Sequence, residues 1–300
     1  MIYTITLNPA IDCTVSLEKL CTGRVNRCSD ESITIGGKGI NVSRVLKELD
    51  EPTTVLGFRA GFTGKAIAEG LEVMGIKADL TEAGNGNSRI NVKISADEET
   101  EINAKGPYIS EAELSEFYAK LSQIQSGDFA VLAGSVPSSV PRDIYRRILE
   151  RLSGRNVESA VDAEGELLLS VLGYRPFVIK PNIFELGQIF SAELNDDTQI
   201  AECAKQLQLK GARNVLVSMG KDGSMLLDEY GNIHKAGICE GELVSSVGAG
   251  DSMLAGFLAG YKRTHDYDYA LKLATACAGA TAFSHGTGKK SLIDELIKQL

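Results

Sequence analysis

Short apolar segments alternate with amphipathic segments along most of the chain. Residues 2–7, 53–58, 129–133, 157–162, 177–180 and 214–219 form apolar runs that predict buried strands. After several of them, apolar residues recur at the i, i+3, i+4, i+7 spacing of helices, as in Val42, Val45, Leu46 and Leu49. The alternation predicts an α/β fold, a three-layer αβα sandwich around a central, mostly parallel sheet.

Two segments, residues 11–35 and 89–104, break this alternation. Both contain short, polar β-patterns with no helix between the strands, which predicts a small sheet outside the main one. A sheet without helices to cover it must bury its apolar side against a ligand or another subunit. No flexible linker divides the chain, so we expect one domain over residues 1–300 that carries these two segments as a lid.

The charge composition argues against polyanionic partners. The chain has 31 Lys and Arg against 40 Asp and Glu, a net charge of -9, which disfavours nucleic acid and anionic membranes. No apolar run reaches the roughly 18 residues of a membrane span, and the first residues lack a signal-peptide pattern, so we expect a cytoplasmic protein. The six cysteines include no CxxC pair and are expected to be free thiols.

The first cluster of candidate functional residues is GGKGIN, residues 36–41, directly before an amphipathic helix. Glycines at such a turn let the backbone approach a ligand, and a helix N-terminus favours an anion. The alternative is a tight turn that needs positive φ. Lys38 and Asn41 beside the glycines favour the functional interpretation.

The second cluster, SVGAGDS at residues 246–252, precedes another helix. The backbone N–H groups of Gly248, Ala249 and Gly250 suit a transferred phosphoryl group, and Asp251 is the candidate base. The alternative role for Asp251 is a helix N-cap.

A third cluster follows a predicted buried strand at Lys180. Asn182 and Glu185, three residues apart, could hold Mg²⁺ through water, because this ion prefers oxygen ligands and keeps much of its hydration. The alternative is a capping box formed by the same two side chains. The turn after the next strand could border a nucleotide; it contains Ser218, Met219, Gly220, Lys221, Asp222 and Gly223.

Several common enzyme classes lack their motifs in this chain. No GxxxxGK[ST] sequence occurs, and no GxGxxG opens a helix after the first strand, which excludes the P-loop and dinucleotide-binding signatures. His234, His265 and His285 have no ligand-like spacing, and no serine elbow is present. Metal-dependent hydrolysis and triad chemistry are therefore not expected.

Taken together, the motifs resemble those of the ribokinase-like sugar kinases, in the phosphofructokinase B branch. GGKGIN and SVGAGDSM occur with TLNPAID, LAGSVP, KPNIFEL and VSMGKDG, in the family's order from Thr6 to Asp251. The resemblance implies a ribokinase-like fold with a β-lid, a kinase that uses ATP and Mg²⁺, and a homodimer formed through the lid. The segment SRINVKISADEETEINAKGP is most similar to members that convert fructose 1-phosphate to fructose 1,6-bisphosphate.

The resemblance also implies roles for individual residues. Asp251 would be the base, and Gly248, Ala249 and Gly250 would form an anion hole. Asp12, Gly37, Lys38 and Asn41 would hold the sugar, Arg89 would bind its phosphate with Lys38 as a second positive charge, and Ser135 would assist. Lys180, Asn182 and Glu185 would lie beside the ATP phosphates and Mg²⁺, with residues 218–223 beside the nucleotide.

Three other functions remain open at this point. A tagatose-6-phosphate kinase is the nearest alternative, and a catalytically silent sugar-phosphate-binding regulator could share the fold. The intact Asp251 and GAG sequence favour an enzyme over the regulator. A nucleoside kinase is a weaker alternative, because Arg89 and Lys38 suggest an anionic acceptor.

Overall fold

A computed structural model describes residues 1–300. The strands are Ile2–Thr6 (β1), Ala10–Ser16 (β2), Asp30–Gly36 (β3), Thr53–Ala60 (β4), Lys77–Ala83 (β5), Arg89–Ser95 (β6), Thr100–Ile102 (β7), Phe129–Ala133 (β8), Glu158–Asp162 (β9), Val178–Ile179 (β10), Asn214–Ser218 (β11), Ser224–Leu227 (β12) and Ile233–Ala236 (β13). The helices are Lys38–Glu48 (α1), Gly61–Val73 (α2), Glu111–Lys120 (α3), Ile144–Leu152 (α4), Gly165–Leu169 (α5), Ile183–Phe190 (α6), Asp197–Leu209 (α7), Ala249–Thr264 (α8), Tyr267–Ala282 (α9) and Lys290–Leu296 (α10).

Nine strands form the large sheet in the order β13-β12-β11-β10-β9-β8-β1-β4-β5. The strands from β11 to β5 are parallel, and β12 and β13 add an antiparallel edge. All six predicted strands lie in this sheet within two residues of their expected ends. The strands β5, β12 and β13 were not predicted. β5 and β13 are the two edge strands, where weaker apolar patterning suffices, whereas β12 is buried but only four residues long.

Helices cover both faces of the large sheet. Along β1, Tyr3 and Ile5 pack into an apolar layer with α3, α4 and α7, whereas Ile2 packs on the opposite side with α1, α8 and α9. Residues on both faces of a central strand are therefore buried, which explains its continuous apolar sequence. The predicted three-layer αβα sandwich is confirmed.

The second sheet has four strands in the order β3-β2-β6-β7, and we call it the small sheet. Because side chains alternate across a strand, the pairing register sorts them into two unlike faces. One face is largely apolar and includes Ile11, Cys13, Val15, Ile33, Ile35, Ile90, Val92, Ile94 and Ile102, with Glu31 and Thr100 opposite Val15 and Ile94. The other is polar and includes Asp12, Thr14, Ser32, Thr34, Asn91, Lys93 and Glu101.

Helix α2 covers only part of the apolar face of the small sheet. Ile11 and Ile35 pack against buried residues that include Ile67 of α2. Farther from the large sheet, Ile33 is 69% exposed and Ile102 is 58% exposed. The small sheet thus leaves apolar surface exposed on one side and turns carboxylate, amide and ammonium groups to the other.

The structure contains no disulfide bond, and all six cysteines are free thiols. None of the helices combines the length and apolarity that crossing a bilayer requires.

Candidate active site

The candidate residues meet at the carboxyl-terminal edge of the large parallel sheet. Asp162 ends β9, Lys180 follows β10, and Ser135 follows β8. Ligands of open α/β sheets bind at this edge because the loops after neighbouring parallel strands converge there. Helices α1 and α8 begin beside the same edge, since Asn41 and Asp251 are in contact.

Asp162 is the most deeply buried charge of the site. It is 1% exposed, and its carboxylate lies 3.3 Å from the Lys38 Nζ and 3.5 Å from the Lys180 Nζ. Burial alone would raise the pKa of Asp162, but the two ammonium groups outweigh it and hold the pKa below its ordinary value. Asp162 therefore stays ionised and fixes two cations from distant segments at one point.

Asp251 lies in the first turn of α8 and is 6% exposed. Asn41 Nδ2 donates a 2.8 Å hydrogen bond to its Oδ2. Burial, followed by the negative charge of Asp162, raises the pKa of Asp251 to about 7, against the opposing effects of Asn41, Lys180 and Lys38. The two buried carboxyl groups thus differ sharply, one held ionised and the other poised to take up a proton.

The two glycine motifs form the N-termini of α1 and α8. Gly37 caps α1 at φ 123, a backbone conformation that favours glycine, so the tight-turn interpretation of GGKGIN holds at this position. Gly248 caps α8. The N–H of Ala249 donates to the Ser246 carbonyl at 3.2 Å, whereas the N–H groups of Gly250 and Asp251 belong to the first turn, where no intrahelical acceptor exists.

Asn182 and Glu185 form a reciprocal capping box at the start of α6. The Glu185 N–H donates to Asn182 Oδ1 at 2.8 Å, and the Asn182 N–H donates to Glu185 Oε2 at 2.8 Å. The capping-box interpretation of these two side chains is therefore correct. The box uses only one Glu185 carboxylate oxygen, so the other oxygen makes no contact within it. No group of three or more His, Cys, Asp or Glu side chains is arranged to hold a metal ion.

The turn over residues 218–223 lies beside this capping box. Asn182 pairs with Ser218 in an isolated β-bridge, and residues Gly220–Asp222 form one turn of 3₁₀ helix between β11 and β12. Met219 is buried, whereas Lys221 and Asp222 are exposed. The structure thus brings both predicted nucleotide segments to the same part of the sheet edge.

The polar face of the small sheet carries Asp12 and its partners. Asn91 Nδ2 donates to Asp12 Oδ1 at 2.9 Å, and the Lys93 Nζ lies 3.4 Å from Asp12 Oδ2. Asn91 is directly opposite Asp12 in the β2–β6 pairing. Arg89 starts β6, and its Nε donates a 3.0 Å hydrogen bond to the Asn8 carbonyl.

Lys38 and Arg89, which the sequence suggested as one phosphate-binding pair, belong to different charge clusters. The acidic groups that act on Lys38 are Asp162, Asp251 and Glu185, and together they raise its pKa against the effect of burial. Burial lowers the pKa of Arg89, and Asp12 is the acidic group that opposes this. Lys38 is thus grouped with Lys180, and Arg89 with the small sheet.

Sequence reasoning missed Asp162, Asn91 and Lys93. The sequence identifies Asp162 only as the last residue of a buried strand. A carboxylate at that position indicates a functional residue, because ligands of parallel sheets bind at the carboxyl ends of the strands. Asn91 and Lys93 carried a weaker signal, because Arg89, Asn91 and Lys93 follow one another at intervals of two along one strand and so share a face. Their contact with Asp12 depends on strand pairing, which the sequence does not state.

Comparison with known proteins identifies the family. The family model described as pfkB family carbohydrate kinase matches residues 2–294. The chain belongs to this family. It is 40% identical to a 1-phosphofructokinase of Bacillus subtilis, over 100% of this chain and 98% of the relative, and 39% identical to a D-tagatose-1-phosphate kinase of Bacillus licheniformis, over the same shares.

A solved structure has the same fold. Escherichia coli phosphofructokinase-2, crystallised in complex with substrates and products, superposes with a TM-score of 0.93 at 24% identity, covering 100% of this chain and 99% of that one. At this identity the likeness shows the fold alone. The family and the two curated relatives together show that the protein is an ATP-dependent sugar kinase.

The raised pKa of Asp251 predicts that its ionised carboxylate lowers the stability of the folded protein. A carboxyl whose pKa is higher in the folded than in the unfolded state loses stability as pH rises from about 4 to 7, and the full cost remains above that range. Asp251→Asn removes the ionisable group at nearly constant shape. We expect it to stabilise the protein at pH 8 by about 1–3 kcal/mol, with a gain that shrinks towards pH 5.

Thermal or urea unfolding at both pH values measures this effect. Asp97→Asn, which changes an exposed carboxyl of the β6–β7 loop, is the control and should shift stability by less than about 0.5 kcal/mol at either pH. A loss of stability in Asp251→Asn at pH 8, or a larger gain at pH 5 than at pH 8, would contradict the raised pKa.

Proposed function

We propose that this sugar kinase transfers the γ-phosphoryl group of ATP to the C6 hydroxyl of fructose 1-phosphate, giving fructose 1,6-bisphosphate and ADP. The observation that carries the proposal is the position of Asp251, a buried carboxyl with a pKa near neutrality at the N-terminus of α8. A group of this kind can accept a proton at physiological pH beside a site suited to a transferred anion.

Asp251 acts as the general base in this proposal. Asn41 occupies Asp251 Oδ2, so that Oδ1 is left to accept the proton of the acceptor hydroxyl. As the hydroxyl oxygen bonds to the γ-phosphorus, the bond from that phosphorus to the β,γ-bridging oxygen breaks, and ADP leaves with its electron pair. Phosphoryl transfer requires mainly positioning and charge stabilisation, and the fixed Asn41–Asp251 contact supplies positioning.

Positive charge at the transferred group would come from α8 and two lysines. Gly248, Ala249 and Gly250 form the proposed anion hole, in which the N–H of Gly250 is free of an intrahelical acceptor while that of Ala249 already bonds to Ser246. A Cβ on Gly250 would lie 3.0 Å from the Lys180 Nζ, which places this lysine at the anion hole. Lys38 shares Asp162 with Lys180 and is held nearby.

The acceptor would lie between α1 and the polar face of the small sheet. Asp12 would accept hydrogen bonds from ring hydroxyls, Arg89 would bind the phosphate, and the Gly37 turn and Ser135 would border the sugar. Both Asp12 oxygens are already held, one by Asn91 and one by Lys93, which presents a charged acceptor in a fixed orientation. We infer that the small sheet closes over the acceptor as a lid of a single kinase domain.

Two ketohexose phosphates are candidates for the acceptor. Relatives named for 1-phosphofructokinase and D-tagatose-1-phosphate kinase activity are nearly equally similar to this chain, and the two sugars differ in configuration only at C4. Tagatose 1-phosphate is therefore the second candidate acceptor. Asp12, held in a fixed orientation by Asn91 and Lys93, suits discrimination at a ring hydroxyl, because it can accept a hydrogen bond from only one of the two configurations.

The nucleotide would lie along the segments Lys180–Glu185 and Ser218–Gly223. Mg²⁺ commonly binds one or two carboxylates together with ATP phosphates and keeps several waters. The Glu185 oxygen outside the capping box fits that role, and Asn182, whose amide oxygen already accepts from Glu185, would contribute through water. When bound, the ion would neutralise charge on the β- and γ-phosphates.

The exposed apolar surface of the small sheet supports a homodimer. Ile33, Ile90 and Ile102 are 69%, 42% and 58% exposed on one face of the small sheet. A second copy of the chain brings an identical apolar face, so two small sheets can cover each other through a twofold axis. We propose that the part of the apolar face that α2 leaves uncovered is the dimer interface.

Asp251→Asn tests the assignment of the base. We expect kcat to fall by about 10²-fold or more with little change in KM for fructose 1-phosphate. The wild-type kcat/KM should rise with pH through about 7, because Asp251 must lose its proton to act.

A coupled assay of ADP release, with fructose 1-phosphate, tagatose 1-phosphate, tagatose 6-phosphate and free fructose, measures both the base and the acceptor. Near-normal turnover of Asp251→Asn would leave Asp251 as a structural residue only. A higher kcat/KM for tagatose 1-phosphate than for fructose 1-phosphate would identify tagatose 1-phosphate as the acceptor and leave the proposed phosphoryl transfer unchanged.

Glu185→Gln tests the magnesium assignment. Glutamine retains an oxygen for the capping box, so we expect a small change in melting temperature and a several-fold higher Mg²⁺ concentration at half-maximal rate. Glu113→Gln alters the other capping box, at Ser110 of α3, and is the control that should leave the Mg²⁺ requirement unchanged. A lower melting temperature with an unchanged Mg²⁺ requirement would assign Glu185 to capping alone.

Ile33→Glu tests the interface. A buried glutamate without a partner opposes association, so we expect the variant to sediment as a monomer where the wild type sediments as a dimer. Leu209→Glu, at a 74% exposed residue of α7, is the control and should leave the sedimentation unchanged. An identical mass for Ile33→Glu and the wild type would place the interface elsewhere.

A further inference from the structure

A cavity of about 320 Å³ opens between the start of α2, the start of β6 and the segment after β7. Two of its lining residues, Arg89 and Lys105, are cationic, and none is acidic. A larger cavity of about 630 Å³, between α2 and β5, mixes the two signs, for example Lys65 with Glu69. Of these two cavities, only the smaller one favours an anion by its charge.

Asn8 fixes both cationic segments of the cavity. Its carbonyl accepts the 3.0 Å hydrogen bond from Arg89 Nε, and its Nδ2 donates to the Lys105 carbonyl at 3.2 Å. Since Nε is engaged, the two terminal guanidinium nitrogens of Arg89 remain for bidentate binding of a phosphate. Asn8, which is buried and 4% exposed, thus sets the distance between Arg89 and the backbone of Lys105.

Gly106 allows this close approach. It adopts φ 87, and a Cβ built on it would lie 2.1 Å from Asn8 Oδ1. Any other residue would push the chain after Lys105 away from Asn8. The segment that carries Lys105 is therefore held at the cavity by packing.

Lys105 is an uncommitted cation. It is exposed, and no carboxylate lies among the residues that line its cavity. By contrast, Lys93 is paired with Asp12, and Lys38 is paired with Asp162. A second positive charge would strengthen the binding of a phosphate dianion by Arg89, and Lys38 is already paired with Asp162.

We propose that Lys105 is that second charge, so that the phosphate of the acceptor binds between Arg89 and Lys105. The inference rests on the proposed function, in which the acceptor is a sugar phosphate. It assigns Lys105 a role in acceptor affinity and selectivity, while Lys38 serves the transferred group. The reacting hydroxyl then lies at the opposite end of the sugar, toward Asp251.

Lys105→Gln removes the charge at similar length. We expect KM for fructose 1-phosphate to rise about tenfold, as for loss of one hydrogen bond to a charged group, with kcat and the KM for ATP unchanged. Lys105→Arg should restore most of the affinity. Lys65→Gln, in the larger cavity, is the matched control and should leave every constant unchanged.

Binding of inorganic phosphate, measured by calorimetry on the full-length protein, separates this inference from the proposed function. We expect weaker binding by Lys105→Gln and wild-type binding by Lys65→Gln, even if no sugar phosphate is turned over. Unchanged phosphate binding and unchanged KM in Lys105→Gln would overturn the role of Lys105 and leave the kinase proposal intact. If no sugar phosphate is turned over but Lys105→Gln still binds phosphate more weakly, the proposed acceptor is wrong and the phosphate site at Lys105 is supported.

Discussion

The site depends on one buried carboxylate, Asp162, held between two lysines. Removing a charge from water is costly unless partners compensate, and here Lys38 and Lys180 provide the compensation. The ion pairs draw together the start of α1, the end of β9 and the segment after β10. They also place a fixed negative charge near Asp251, which contributes to its raised pKa. One interaction thereby assembles the two lysines and helps to set the protonation of Asp251.

The same region shows why a site of this kind costs stability. Asp251 is buried without an ion pair of its own and is held by Asn41 alone. Such a group lowers the stability of the folded protein at neutral pH, whereas an asparagine in its place would not. Retention of an unfavourable buried carboxyl is what a functional role predicts, because natural sequences depart from the most stable choice mainly at sites that perform chemistry.

Much of the fold was predictable because both faces of the central strands are buried. Runs such as residues 129–133 are apolar throughout, and their strand boundaries agree with the structure. The edge strands β5 and β13 were not predicted because exposure relaxes the apolar pattern, whereas the buried β12 was not predicted because it is only four residues long. The small sheet was predictable from its polar β-pattern, but its two unlike faces follow from register, which places Asp12 beside Asn91.

The residues of the site were more predictable than their partners. Glycine motifs, Asp251 and Asn182 lie in short sequence patterns, whereas Lys38 meets Asp162 across 124 positions of the chain. Long-range pairing of this kind decides which cation serves which anion. For this reason the sequence alone suggests that Lys38 and Arg89 act as a pair. The sequence likewise does not decide whether Glu185 caps α6 or binds magnesium.

The effect of Asp162 on Asp251 can be measured by titrating the carboxyl groups of the intact protein with isotope-edited infrared or NMR spectroscopy. The signal of Asp251 is identified by its loss in Asp251→Asn, and the titration is repeated in Asp162→Asn. We expect this carboxyl to titrate near pH 7 in the wild type and at clearly lower pH without the Asp162 charge. A wild-type Asp251 that titrates near pH 4, or one that Asp162→Asn leaves unchanged, would contradict it.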